Sequence, residues 1–404
     1  MKLLDSMMSS FVKVGQLTII DVQGDTYTYG PGGDGAPNSV IKLLDEKLYH
    51  KLFFNPELYA GEAYMDGTLV CEEGGIRGLL EVFANNRIRL RKHPTQKVLR
   101  RWLKKIKKLH QKNKLTSSRK NVQHHYDLSN DFYRLFLDEE LNYSCAYFQN
   151  ENMSLEDAQI AKKRHIASKL NLDNTCKVLD IGCGWGGMAI YLAEEFGCEV
   201  VGVTLSDEQY ALANQRIKSQ NLQHKVTIKL MDYRDVTDQF DRVVSVGMFE
   251  HVGVNHYLEY FKKIKSLLTD EGCAVIHSIG RKGGPGTTGA WIRKYIFPGG
   301  YSPALSETFS EIEKSGLWVT DCEILRLHYA KTLFEWDKRF QQNREKIAHM
   351  FDEKFCRMWE FYLIISEFSF LYGKHMNFQI QLTKNVNSLP ITRDYIQQIE
   401  LKHT

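Results

Sequence analysis

Val178–Gly187 reads VLDIGCGWGG. A short apolar run, broken only by Asp180, leads into Gly182, Gly184 and Gly187 in the spacing GxGxxG. GMAIYLAEEFG (187–197) follows as a helix that Gly197 stops. A glycine loop between a strand and a helix lets a ligand approach the backbone at the strand's C-terminal edge. The spacing alone is weak evidence, but its surroundings repeat the alternation. CEVVGVTLS (198–206) predicts a strand and DEQYALANQRIKSQN (207–221) a helix. KVTIKLMDY (225–233) is a strand, and FDRVVSVGMFEHVG (240–253) begins as one. HYLEYFKKIKSLLTDEG (256–272) is a helix before the strand CAVIHSIG (273–280). Strands alternating with helices predict a parallel sheet covered on both faces. There is no internal repeat.

Two charges bear on what the loop binds. A nicotinamide dinucleotide site wants an acidic residue ending the second strand, to hold a ribose. Here that strand ends in Thr204, with Gln209 beyond it. Asp180, two residues before the first glycine, is badly placed for a pyrophosphate and suits a cationic ligand. S-adenosylmethionine has an ammonium, a sulfonium and no phosphate, so it fits better. The third strand ends in Asp232-Tyr233-Arg234, where an adenine ring could rest.

The chain of 404 residues has room for two domains, and 43% hydrophobic residues supply a sizeable core. Residues 11–29 predict two short strands about a Gly24-Asp25 turn, and helix-spaced apolar residues follow in 39–54 and 74–85. The net charge of +4 hides an asymmetry: residues 87–120 hold fifteen Lys/Arg and no Asp/Glu, so the remainder sums to 4 − 15 = −11. Within this belt, TQKVLRRWLKKIKKLH (95–110) spaces Val98, Leu99, Trp102, Leu103, Ile106 and Leu109 along one helical stripe. Such a helix packs between domains, lies on an anionic membrane, or grips nucleic acid. Ser117-Ser118-Arg119 reads as linker. Eight cysteines without a CxxC pair argue against a zinc site or a disulfide scaffold, and point to free thiols in a reducing compartment. The N-terminus carries no signal-peptide pattern, and the longest apolar run, FYLIIS (361–366), is too short to span a bilayer.

Five segments together resemble the cyclopropane fatty acid synthases, both the bacterial phospholipid enzymes and the mycolic acid cyclopropane synthases. They are HHYDLSNDFYRLFLDEELNYSCAYF (124–148), VLDIGCGWGG, VGVTLSDEQ (201–209), DYRDV…FDRVVSVGMFEHVG (232–253) and VIHSIGRKG (275–283). The likeness runs from about residue 122 to the C-terminus. GEAYMDG (61–67) resembles the extra N-terminal domain of the phospholipid branch. The resemblance implies an α/β fold: a Rossmann-like S-adenosylmethionine-dependent methyltransferase domain on a mostly parallel seven-stranded sheet, with a smaller α+β N-terminal domain. The expected division is a lipid-docking domain over 1–90, the basic helix and linker over 91–120, and the catalytic domain over 121–404.

The implied reaction adds a methyl carbon from S-adenosylmethionine across a cis double bond of a phospholipid acyl chain. An alkene is a weak nucleophile, and the cation formed needs a mild base, dry surroundings and aromatic walls. The resemblance supplies bicarbonate as that base, surrounded by Cys145, Glu250, His277, Ile279 through its backbone, and Tyr329. The cofactor contacts it implies are Tyr143, Ser144, Asp180, Gly182, Gly184, Thr204, Gln209, Tyr233 and Arg234, with no metal. Each base residue has a plainer reading: Glu250 as a loop cap, His277 as a satisfied core histidine, Tyr329 as packing, Cys145 as a small buried hydrophobe. The implied setting is cytoplasmic, a homodimer peripheral on the inner leaflet, drawing unsaturated acyl chains from an anionic membrane surface and binding no nucleic acid. A related fatty-acid C-methyltransferase making a methylene- or methyl-branched chain is the alternative. A nucleic-acid methyltransferase lacks its own motif near Glu250, and a nicotinamide oxidoreductase conflicts with the charges at Asp180 and Thr204.

Overall fold

The computed structural model describes residues 1–92 and 128–403. The helix expected over 95–110, the linker at Ser117–Arg119 and most of the basic belt lie outside them. The chain divides into two compact units. One holds the N-terminal segment together with Thr288–Pro298 and Trp336–Gly373; the other holds the remaining described residues.

In the first unit, α1 (Lys2–Phe11) buries Leu4, Met7, Met8 and Phe11, which share one helical face. The hairpin of β1 (Gln16–Ile20) and β2 (Thr26–Tyr29) turns on Asp21, whose Oδ1 accepts from the amides of Gln23 and Asp25, both at 3.0 Å. β3 (Asn38–Leu43) pairs parallel with β1, so the first half of the segment expected to be helical over 39–54 is a strand. Its burial alternates, and the helix α2 begins only at Lys47 (Lys47–Phe54). α3 (Pro56–Met65), β4 (Leu69–Glu73) and α4 (Gly75–Lys92) complete a sheet ordered β2-β1-β3-β4. Asn86 of α4 clips the α1–β1 link: its Oδ1 accepts from Lys13 N at 2.8 Å and its Nδ2 donates to Val14 O at 2.8 Å.

The second unit begins its described part with α5 (Asn130–Arg134) and α6 (Leu155–Leu170). Then come β5 (Lys177–Ile181), α7 (Gly187–Phe196), β6 (Glu199–Thr204), α8 (Asp207–Ser219), β7 (Val226–Leu230), β8 (Phe240–Val246), α9 (Tyr257–Leu267) and β9 (Leu268–Arg281). The helices expected here begin within a residue of their predicted starts, and Gly197 ends α7 at φ +70°. After α10 (Ala290–Tyr295) in the first unit come α11 (Leu305–Ser315), β10 (Trp318–Leu325), α12 (His328–Gln342), α13 (Arg344–Met350), α14 (Glu353–Leu371), β11 (His375–Thr383) and α15 (Asp394–Lys402).

The seven-stranded sheet runs β10-β11-β9-β8-β5-β6-β7, parallel from β9 to β7, with β11 antiparallel to both its neighbours. Adjacent residues feed opposite faces. Leu179, Val201, Val243 and Ala274 pack under α9 and α11. Their neighbours Val178, Val200, Val244 and Val275 pack under α6, α7 and α8. This two-sided burial is why the strands read as nearly continuous apolar runs.

The sequence reading placed 121–404 in one domain, whereas residues 288–298 and 336–373 pack with the N-terminal segment. Arg77 of α4 explains part of this. Its guanidinium donates to Glu367 of α14 at 2.8 and 3.0 Å and to Asp337 of α12 at 2.9 Å. Tyr64 OH donates to Glu360 at 2.7 Å, and Trp291 of α10 meets Phe361 edge-on at 4.7 Å. The partners of Arg77 and Tyr64 lie hundreds of residues away in sequence and Phe361 lies well beyond Trp291, past the reach of any local pattern.

Candidate active site

A cavity of about 190 Å³ opens at the C-terminal ends of β5, β6 and β8. Open parallel sheets bind ligands at this edge. All nine residues expected to contact a cofactor line it: Tyr143, Ser144, Asp180, Gly182, Gly184, Thr204, Gln209, Tyr233 and Arg234. Gly182 takes φ +77°, and a Cβ there would stand 3.0 Å from Met248. At Gly184 (φ +55°) nothing lies within 4 Å of a Cβ position, so the loop backbone faces open space.

Asp180 is the charge of the cavity floor. It is 2% exposed, and its Oδ2 has no hydrogen-bond partner among the described residues. Burial raises its pKa to about 7, opposed by the Lys162 charge. A buried carboxylate in that state gains strongly from a cationic ligand. Thr204 donates to Gln209 Oε1 at 2.8 Å, fixing the glutamine beside the floor. Arg234 is engaged by a residue the sequence reading did not count as a contact. Its guanidinium forks onto Asp232, with Nε to Oδ1 at 2.9 Å and Nη2 to Oδ2 at 2.6 Å.

The roof is the stretch Glu140–Ser144. Lys162 of α6 donates to Asn142 Oδ1 at 3.1 Å and Ser144 Oγ at 3.0 Å. One turn earlier, Gln159 donates to the carbonyls of Asn142 and Ser144 at 3.2 and 3.1 Å. Sequence reasoning missed this helix. AKKRHIASKL looks like a solvated basic face, yet Lys162, Lys163, Arg164, His165 and Lys169 are all buried. Lys163 meets Glu140 at 2.5 Å. His165 meets Glu323 of β10 at 2.6 Å and Glu400 of α15 at 3.2 Å. Lys169 donates to Glu323 and, at 2.7 Å, to Gln379 Oε1. The local signal was LDEEL (137–141), the acidic partner lying before the basic helix.

None of the five residues expected around the base lines the 190 Å³ cavity, but their neighbours Ser144, Gly247 and His251 do. Cys145 is fully buried; burial pushes its thiol well above the ordinary range, and its Sγ donates to Ala146 O at 3.4 Å. Ala146 N donates to Thr332 Oγ1 at 3.0 Å and Phe148 N to His328 Nδ1 at 3.0 Å. These bonds tie the cysteine segment to the first turn of α12, which carries the buried Tyr329. Glu250 and Ile279 meet directly: Ile279 N donates to Glu250 Oε1 at 2.6 Å. Glu250 Oε2 has no partner among the described residues, and burial raises the carboxyl to about 7, eased by the Ile279 amide.

His277 faces two amides of β11. Gln379 Oε1 accepts from Lys169, so Gln379 Nε2 donates to His277 Nδ1 at 3.1 Å. A neutral ring then carries its proton on Nε2, 3.1 Å from the Asn377 side-chain amide, which can accept it only through its oxygen. Burial lowers the histidine to about 3, so it stays neutral. The Lys162 charge bears on the titration of Cys145, Asp180 and His277 alike. No helix among the described residues is long and apolar enough to cross a membrane, and none of their His, Cys, Asp and Glu side chains form a metal-binding group.

The family model for mycolic acid cyclopropane synthetase matches residues 113–380. The chain is 35% identical over 374 residues to an Escherichia coli cyclopropane-fatty-acyl-phospholipid synthase, covering 89% of this chain and 92% of that protein. It is 41% identical over 285 residues to a probable fatty acid methyltransferase of Pseudomonas putida, covering 68% and 72%. Among solved structures, the mycolic acid cyclopropane synthase CmaA1 complexed with SAH and CTAB aligns at a TM-score of 0.62 with 33% identity, over 65% of this chain and 97% of that one.

Proposed function

We propose that this chain, which belongs to the mycolic acid cyclopropane synthetase family and is an S-adenosylmethionine-dependent methyltransferase of lipids, converts a cis double bond of a phospholipid acyl chain into a cyclopropane. The observation that carries this reading is a pair of buried carboxylates, Asp180 in the cavity and Glu250 behind it, each with one oxygen that nothing among the described residues satisfies. The near end-to-end match to the phospholipid enzyme, N-terminal region included, supports phospholipid as the substrate class.

Asp180 would hold the cationic end of the cofactor, with the Gly182–Gly184 backbone admitting it closely and Tyr143, Ser144, Thr204, Gln209, Tyr233 and Arg234 around it. When bound, S-adenosylmethionine supplies an electrophilic methyl group. One C–C bond forms at an alkene carbon as the S–CH3 bond breaks, leaving S-adenosylhomocysteine and a cation on the adjacent carbon. Loss of a proton from the new methyl closes the second C–C bond. Glu250, Cys145 and Tyr329 would seat a bicarbonate ion, which when bound supplies the base, while the Ile279 amide holds Glu250 and His277, bonded to Asn377 and Gln379, lines the seat. The unpartnered Glu250 Oε2 fits that group: near pH 7 it can accept or donate a hydrogen bond. Buried Cys145 stays protonated and does not trap the cation. The belt over 87–120 would bring the chain to an anionic leaflet from the cytoplasmic side, each Lys or Arg contributing on the order of 1 kcal/mol. The N-terminal unit would help dock lipid, and the enzyme would act as a homodimer.

The 41% identity to a fatty acid methyltransferase favours one second reading, a methyl- or methylene-branched product. One experiment separates them: the full chain, vesicles of unsaturated phosphatidylglycerol and methyl-labelled S-adenosylmethionine, followed by proton NMR of the fatty acids. Upfield ring methylene signals are expected. Vinylidene or branched-methyl signals would select the second reading, and unlabelled lipid would sink both.

A further inference from the structure

Among the three lysines of α6, Lys162 is bonded unlike the others. Lys163 and Lys169 donate to carboxylates, Glu140 and Glu323. Among the described residues, Lys162, 2% exposed, donates only to neutral oxygens, Asn142 Oδ1 and Ser144 Oγ. An amine is costly to bury on such terms unless its charge is used.

Among the described residues, the group Cys145, Glu250, His277, Ile279 and Tyr329 includes no cation of its own. Cys145 and His277 are held neutral, Tyr329 carries a phenol, the Ile279 amide is given to Glu250, and Glu250 adds negative charge when ionised. An anion seated there needs a positive group close by. Lys162 Nζ stands 3.0 Å from Ser144 Oγ, whose chain neighbour is Cys145, and Lys169 reaches His277 through Gln379. Glu323 binds both Lys169 and His165, whereas Lys162 has no carboxylate at hydrogen-bond distance among the described residues.

We propose that Lys162 is a positioning residue for the base: its ammonium fixes Asn142 and Ser144 as the roof of the cavity, and from there supplies the positive charge that lets the pocket of Cys145, Glu250 and His277 hold an anion. This rests on the reading of a bound bicarbonate. Asp180, on the cavity side of the same amine, offsets that charge where a cationic ligand must sit. Lysine 162 thus serves both halves of the site without touching the reacting carbon.

The test titrates sodium bicarbonate into the full chain by calorimetry, in carbonate-free buffer with S-adenosylhomocysteine bound. Wild type, Lys162→Met and Lys162→Arg are compared, and turnover on unsaturated phosphatidylglycerol vesicles is followed against bicarbonate concentration. Lys162→Met should weaken bicarbonate binding roughly tenfold or more, and raise the concentration for half-maximal turnover by the same factor. Lys162→Arg should stay within about threefold of wild type, because the charge remains. Should Lys162→Met fail to fold, Lys162→Gln carries the same comparison. No binding by wild type overturns the bicarbonate reading and this inference with it. Wild-type binding that the Met or Gln variant leaves unchanged overturns this inference alone.

Discussion

Two sets of buried charge in the same unit are treated in opposite ways. Along α6, His165, Lys163 and Lys169 each meet a carboxylate. At the edge of the sheet, Asp180 and Glu250 each keep one oxygen without a partner among the described residues. Paired charges add little net stability but punish the loss of one partner. An unpartnered buried carboxylate is a standing cost to the fold, and such costs concentrate where a ligand removes them. The pairing pattern therefore separates framework from site inside one unit.

The sharpest way to break this contrast is Glu250→Gln. If its free oxygen serves the chemistry, turnover should fall about a thousandfold, roughly 4 kcal/mol, while S-adenosylmethionine affinity by calorimetry stays within threefold. Substantial activity would move Glu250 to the framework. Lys169→Met probes the other set. It strips a partner from Glu323 and Gln379, so denaturant unfolding should show about 3 kcal/mol of lost stability with cofactor affinity little changed.

Asp180 gives the pH test. Without ligand its carboxyl titrates near 7, and a cationic ligand favours the ionised form. Binding therefore releases a proton below that pH, and S-adenosylmethionine affinity should weaken about tenfold per unit as pH falls below 7. Affinity flat between pH 5 and 7 would show that Asp180 is already ionised or does not meet the cation. The smallest effect is expected of Cys145→Ser. A buried, protonated thiol with no covalent role should cost less than about tenfold in turnover, measured on the same vesicles.

What the sequence disclosed follows from where its information is local. β5, β6, β8 and β9 were legible because strands buried on both faces read as nearly continuous apolar runs, β7 because its burial alternates, and the glycine loop marks where β5 ends. The nine cavity residues lie on or just after those strands, or in the roof segment, so motif and place coincide. SVIKLL misled because Val40, Ile41, Leu43 and Leu44 continue into Leu48 at helical spacing as well as alternating like a strand. α6 was opaque because its partners sit at 140, 323, 379 and 400, and no window of sequence holds both halves of those pairs. The same distance hid the allegiance of 336–373, which Arg77 and Tyr64 reveal. His277 shows the remaining limit: motif reading selected it, but its tautomer is set by β11, a strand with three amide side chains that composition does not single out.

That strand also governs the order in which the protein can be completed on the ribosome. β11 lies between β9 and β10, both of which are synthesised before it. Until Thr383 has emerged, β9 exposes an open edge, β10 has no neighbour, and His277 has neither Asn377 nor Gln379 beside it. The strands that carry the cofactor loop, β5, β6 and β8, are complete at Val246, well before β11 begins at His375. A nascent chain thus has the strands that edge the cavity before it has the partners of His277, and a product truncated ahead of His375 would lack both Asn377 and Gln379.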